Sequence, residues 1–308
     1  MFDWIKFFPF IARYDYKQTE IRGPYFEKPK QCVWHFGDCR FSFKAPKSNS
    51  VFGFSNKGMR VEREHPKRNL NLLQAMGSVP NGGDWDNPKT RWSYRQFYLD
   101  EWFFVGPWFT GIQACFSARA SIILVSPLSS FYGKNFFHPN VFETAVGSIL
   151  DCRYGHHEFN TKKKAHFRGP LNWKVLPISE SVKAISCDIH GIGNGTVDDP
   201  ELYRHVYFPI SKDKIVYINF DFGGVAMYHD MVRAKPLFNL CNSIIDSMHL
   251  EVGPATLAEW DKVKATCPDM SITETFGELQ WPLAPEKPPK KKREVDITPA
   301  SSVLKRIG

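Results

Sequence analysis

The stretch YRHVYFPISKDKIVYINFDF, residues Tyr203–Phe222, decides the fold of this chain. In its second half Val216, Ile218 and Phe220 alternate with tyrosine, asparagine and aspartate. Successive side chains of a strand point to opposite faces of a sheet, so this alternation predicts a half-buried strand. The polar connector Ser211–Asp213 separates it from an equally strand-like first half, and the whole stretch is therefore predicted to be a β-hairpin.

Further strands and a few helices are predicted on either side of this hairpin. Strand-like runs occur at Arg40–Lys44, Val51–Phe54, Met59–Glu62, Ile122–Val125, Trp173–Ile178 and Ala184–Ile189. Helices are predicted at Asn69–Met76, Phe136–Asp151, Pro236–Leu250 and Leu257–Ala265, the last from a capping-box pattern at Thr256–Glu259. Runs of strands followed by helices indicate an α+β fold, with mainly antiparallel sheets covered by a few amphipathic helices.

Composition shifts divide the chain into three regions. Residues 1–90 are predicted to be a β-hairpin-rich N-terminal region, either separate or part of the same domain as residues 91–283. Residues 91–283 are predicted to form the main α+β domain, and residues 284–308 a disordered basic tail. The apolar N-terminus, Met1–Ala12, is too short to span a bilayer and lacks the features of a signal peptide, so a cytoplasmic protein is expected.

The net charge of +8 is unevenly distributed. Residues 282–308 hold seven Lys or Arg and three Asp or Glu, so they carry half of the net positive charge. The rest of the chain is only mildly basic. This argues against a nucleic-acid partner, since such proteins concentrate positive charge on their folded part. The run Pro289–Val295 (PKKKREV) is similar to a nuclear localisation signal, and a solvated basic tail is the alternative.

Common catalytic and metal-binding motifs are missing from the sequence. The seven cysteines are scattered without a C-x-x-C spacing, which indicates free thiols in a reducing compartment. Nucleophile-elbow, P-loop and kinase signatures are absent, and Gly191–Gly193 is not followed by the helix that a dinucleotide fingerprint needs. No cofactor and no metal are therefore predicted, although a site dispersed in the sequence stays possible.

Two groups of residues are candidates for function. The acidic cluster Asp188, His190, Asp198, Asp199 and Glu201 combines carboxylates with a histidine, as a cation site or an acid–base pair would require. Hydrophilic loops carry similar clusters, and that interpretation is kept beside the functional one.

The second group is the aromatic stretch, defined as Trp102, Phe103, Phe104, Trp108 and Phe109. Large rings concentrate binding energy at protein interfaces, and Gly106–Pro107 breaks the stretch, so we predict a protein-binding role for it. A purely structural role in the core is the alternative.

Two segments resemble proteins of a recognisable kind. Ser129–Leu150 (SSFYGKNFFHPNVFETAVGSIL) and Phe208–Phe222 (FPISKDKIVYINFDF) resemble uncharacterised bacterial immunity and accessory proteins encoded beside type VI secretion effectors and other polymorphic toxins. The resemblance implies a cytoplasmic, non-enzymatic module that binds a toxin or effector. Because the body is mildly basic, that partner is expected not to be a nuclease.

Two other functions stay open from the sequence. One is a hydrolase whose site is built around Asp188–Glu201. The other is a peripheral membrane protein that uses Met1–Phe10 together with the basic tail. The sequence does not predict an oligomeric state.

Overall fold

The computed structural model describes residues 20–24, 26–49, 92–107, 111–127, 129–155, 166–196 and 199–281. In these residues ten strands and three helices follow one another. They are β1 Lys30–Phe36, β2 Cys39–Ala45, β3 Trp92–Val105, β4 Ile112–Val125, α1 Pro139–Gly155, β5 Phe167–Pro177, β6 Lys183–Thr196, β7 Asp199–Ser211, β8 Lys214–Gly223, α2 Met231–Asp246, β9 His249–Glu251, α3 Pro254–Thr266 and β10 Leu279–Trp281.

The strands form two antiparallel sheets. The larger has seven strands in the order β10-β5-β6-β7-β8-β4-β3, and the smaller has three in the order β1-β2-β9. The predicted hairpin is confirmed: β7 and β8 pair antiparallel, with Tyr207 opposite Tyr217 and with Lys212 and Asp213 in the turn. The α+β prediction with mainly antiparallel sheets is confirmed as well.

Both faces of the large sheet are covered, which explains the alternation in β8. Val216, Ile218 and Phe220 face a core shared with α2 and the small sheet. Ile215 and Tyr217 face a second core shared with α1. The prediction of a half-buried strand is therefore wrong. The face that carries the tyrosine, asparagine and aspartate of the alternation was expected to be exposed, but α1 covers it.

The small sheet contacts the rest of the fold through packed aromatic side chains and through the cap of a helix. Phe41 of β2 lies 4.9 Å from Phe208 of the large sheet, measured between ring centroids. Asp38, in the turn between β1 and β2, accepts hydrogen bonds from the backbone N–H groups of Ala255 and Thr256 at the start of α3, at 2.8 and 3.1 Å. The predicted capping box at Thr256–Glu259 is wrong, since Gly253 is the N-cap and the distant Asp38 supplies the capping oxygen.

The predicted helix Pro236–Leu250 is shifted relative to α2. The helix begins at Met231 because Asp230 caps it, accepting from the backbone N–H of Arg233, and Pro236 lies inside it. It ends before Leu250, which belongs to β9 opposite Phe41. None of the described helices is long and apolar enough to cross a membrane.

Several predictions concern residues outside the described part of the chain. These are Met1–Ala12, the hairpin Val51–Phe54 with Met59–Glu62, the helix Asn69–Met76, the side chains of Trp108, Phe109 and Asp198, and the tail at 284–308.

Candidate functional site

The described part of the aromatic stretch lies in the core. Trp102, Phe103 and Phe104 are all buried in β3. The ring of Trp102 stacks on Phe116 with centroids 5.6 Å apart, and its indole N–H donates to the carbonyl oxygen of Pro46 at 3.1 Å. This placement favours the core alternative for these three rings. Trp108 and Phe109 lie outside the described residues.

Phe104 nevertheless contributes to a groove, because the chain around Gly23 lies directly on its ring. Arg22 and Val105 exchange backbone hydrogen bonds of 2.7 and 2.8 Å, which hold residues 20–24 beside the end of β3. A Cβ atom added at Gly23 would lie 2.1 Å from the Phe104 ring. Glycine is therefore required for this close approach.

The first turns of α2 carry apolar side chains that the fold leaves uncovered. The buried stripe of the helix is Ala234, Leu237, Leu240, Cys241 and Ile244. Met231 and Val232 lie outside that stripe and are 57% and 42% exposed, while Tyr228, just before the helix, is 38% exposed. Three large exposed side chains thus fall within five consecutive residues. They could not be singled out from the sequence, in which the predicted helix begins only at Pro236.

A groove of about 580 Å³ lies between α2 and the segment formed by residues 20–24 and Phe26, and we call it the α2 groove. Its apolar lining comprises Ile21, Pro24, Phe26, Phe104, Val232, Pro236 and Leu240. The charged groups that line it are Arg22, Lys235 and Glu20, which leaves one excess positive charge. Its volume falls within the range of about 300–1,000 Å³ typical of binding sites. The arrangement can accept an apolar group that carries negative charge beside it.

The structure separates the members of the acidic cluster. Asp188 lies on the α2 side of the sheet and is 1% exposed. Arg204, directly opposite on β7, donates to both of its carboxylate oxygens at 2.7 and 3.0 Å, and Asn172 donates to one of them at 2.9 Å. Burial lowers the pKa of Arg204, but the hydrogen bonds and the charge of Asp188 raise that pKa by more, so the guanidinium group stays charged. Asp188 is thus occupied and closed off from solvent.

His190 lies on the same face of β6 but in a different environment. Its Nδ1 atom lies 3.2 Å from Nη2 of Arg168, and its Nε2 atom is hydrogen-bonded to the hydroxyl of Tyr228. Burial, and then the neighbouring Arg168 cation, lower the pKa of His190 to about 4. The imidazole is therefore neutral at neutral pH. Arg168 and Tyr228 were missed from the sequence, in which they are 22 and 38 residues away from His190.

Glu201 belongs to the opposite face of the sheet. It lies opposite Gly191 on β6 and accepts a hydrogen bond of 2.6 Å from the hydroxyl of Tyr203. Asp199 begins β7, and its side chain, like Asp198, lies outside the described part. The described members of the cluster are therefore not one site.

A second buried histidine lies on the α1 side of the sheet. His205 is fully buried between the hydroxyl groups of Tyr154 and Tyr217, which bond to its two ring nitrogens. Burial, and then the Arg153 cation, lower its pKa well below the usual range. This arrangement is a closed core network, because both nitrogens have internal partners.

Among the described residues, no group of three His, Cys, Asp or Glu side chains is arranged to hold a metal ion. In comparisons with known proteins, no family model, no curated protein and no solved structure matches this chain.

Proposed function

We propose that this chain is a non-enzymatic protein-binding module that receives its partner in the α2 groove. The observation that carries the proposal is the position of Val232, which is exposed and lines an apolar groove, with the exposed Met231 next to it in the chain. Each of these side chains is about half exposed, so covering it completely is worth about 1 kcal/mol, roughly half of the value for full burial. Single exposed apolar side chains are ordinary, but a group of them beside a groove is typical of interaction sites.

The chemistry of the groove selects the kind of partner. The charged residues of the lining are two cations, Arg22 and Lys235, and one carboxylate, Glu20. A partner that inserts an apolar side chain and places acidic groups against these two cations is complementary to it. The mildly basic body of the chain favours the same acidic partner.

The partner class comes from the resemblance to immunity and accessory proteins. It is a secreted toxin or effector that is not a nuclease, and the module binds it to neutralise or escort it. The seven cysteines are all free thiols, which supports the cytoplasm as the compartment.

The test is a pull-down of the tagged full chain from its native cells, with mass spectrometry of the bound proteins. Val232→Asp places a charge in the lining of the groove, and Met231→Asp places one at the adjacent exposed position; we call these two the rim variants. Leu257→Asp is the matched control, because Leu257 is 39% exposed on α3 and does not line the groove. We expect one stoichiometric partner with the wild type and with the control, and about tenfold less with either rim variant, since about 1.4 kcal/mol corresponds to a factor of ten.

The same experiment can overturn the proposal. An equal amount of partner on all four proteins would remove the α2 groove from the interface. A wild-type chain that retains no stoichiometric protein would remove the binding function itself. Once a partner is identified, the purified wild-type chain should suppress its toxic activity in a mixing assay, and the rim variants should not.

A further inference from the structure

Arg168, His190 and Tyr228 form a second polar site, separate from the α2 groove. Arg168 of β5 lies directly opposite His190 of β6 in the sheet. Tyr228 reaches His190 from the segment that precedes α2, and the two rings lie 4.9 Å apart between centroids. None of the three residues lines the α2 groove.

The hydrogen-bonding roles in this site follow from the chemistry of arginine. A guanidinium group can only donate, so Nδ1 of His190 accepts from Arg168, at 3.4 Å from Nε and 3.2 Å from Nη2. A neutral imidazole that accepts at Nδ1 carries its hydrogen at Nε2. That hydrogen is donated to the oxygen of Tyr228, and the hydroxyl hydrogen of Tyr228 is left to point elsewhere.

The site consequently offers donors and little acceptor capacity. Burial, and then the Asp188 charge, raise the pKa of Tyr228 to about 12, so the phenol keeps its hydrogen at neutral pH. Arg168 has five N–H groups and uses two of them on His190. Tyr228 is 38% exposed and Arg168 is partly exposed, so both residues lie at the edge of solvent.

The described residues give the site a single cation, Arg168. Within the described residues Arg168 has no carboxylate within ion-pair distance, and the nearby Asp188 is already neutralised by Arg204. His190 is neutral. One net positive charge surrounded by donors is complementary to a ligand with one negative charge and only acceptor atoms.

We propose that Arg168 and Tyr228, oriented by His190, bind a carboxylate. Arg168 supplies the charge and the planar donor pair, and Tyr228 supplies a further hydroxyl donor. His190 acts as a positioning residue, because it fixes which atoms of its two neighbours are free. The site does not depend on the proposed protein-binding function, since it uses none of the groove residues.

The test is a titration of the full chain at pH 7 with sodium acetate, followed by the side-chain Nε–H NMR signals of 15N-labelled arginine. Sodium chloride at equal ionic strength is the reference, and sodium phosphate is a second arm. The variants are Arg168→Gln and Tyr228→Phe. The control is Arg119→Gln, which removes an exposed arginine of the same sheet that lies 3.8 Å from Asp221.

We expect a saturable shift of one arginine signal with acetate and not with chloride. Arg168→Gln should abolish it, Tyr228→Phe should weaken binding about tenfold because a hydrogen bond to a charged group is lost, and Arg119→Gln should leave it unchanged. Far-ultraviolet circular dichroism confirms that each variant is folded. A response identical to that of chloride, or one that persists in Arg168→Gln, overturns the proposal, and phosphate binding at least about tenfold tighter than acetate overturns the choice of carboxylate.

Discussion

Replacing Asp188 by asparagine should destabilise the protein severely without changing its shape. The Asp188 side chain is 2% exposed and that of Arg204 is 16% exposed, so both charges are largely removed from water. Asparagine turns one acceptor oxygen into a donor that faces the donors of Arg204 and Asn172, and it leaves the guanidinium charge uncompensated. Breaking a buried pair in this way costs about 3–5 kcal/mol. Total stabilities are only about 5–15 kcal/mol, so this is a large fraction.

The assay is urea unfolding at 25 °C, followed by circular dichroism and extrapolated to water. Two further variants make the measurement specific. The double variant Asp188→Leu with Arg204→Met removes both charges. It should be at least about 2 kcal/mol more stable than the summed losses of Asp188→Leu alone and Arg204→Met alone predict. Arg119→Gln breaks the exposed pair with Asp221 and should cost less than about 1 kcal/mol.

The reasoning would be refuted if Asp188→Asn lost less than about 1 kcal/mol, since a buried ion pair cannot be broken at so small a cost. Strict additivity in the double variant would refute it equally, because the two side chains would then not interact.

Three further predictions concern stability and the shape of the groove. Replacing Asp38 by alanine removes the cap of α3 and should cost about 1 kcal/mol in urea unfolding, whereas an unchanged midpoint would contradict the assigned cap. The pKa of His190 is lowered to about 4 and that of His205 well below its usual range, so the unfolded chain takes up protons first as the pH falls below about 6.5. Stability should therefore decrease from pH 7 towards pH 4, by about 3 kcal/mol for His190 alone, and a flat profile would contradict the buried neutral state. Replacing Gly23 by alanine forces a clash with Phe104 and should weaken partner capture as the rim variants do, while leaving the unfolding transition cooperative; undiminished capture would show that this contact does not shape the groove.

The parts of the fold set by local pattern could be predicted from the sequence. The hairpin of β7 and β8 follows from period-two alternation and a polar connector. The helix predicted over Phe136–Asp151 is present as α1, which begins at Pro139, in line with the preference of proline for the first turn, and ends at Gly155. The end of α2 could not be predicted, because it depends on the pairing of β9 with β2, which are far apart in the sequence. The start of α2 depends on a local signal, the cap Asp230, which was missed because the helix was predicted to begin at Pro236.

Less of the candidate site could be predicted from the sequence. Asp188 and His190 stand out in the sequence for their chemistry, but nothing there indicates that Arg204 closes off the first while Arg168 and Tyr228 surround the second. The contacts of Arg204 and Arg168 join neighbouring strands, and that of Tyr228 joins the segment before α2 to β6, so all of them arise only when the chain has folded. The exposed side chains of Tyr228, Met231 and Val232 carry no periodic signal, since they lie outside the buried stripe of α2.

The most direct test of the protein-binding proposal is hydrogen exchange of the full chain, alone and saturated with the captured partner. The account predicts slower exchange of backbone amides in residues 20–24 and 232–243, which border the α2 groove. Unchanged exchange in both segments, with protection on another surface such as α1 or α3, would contradict it.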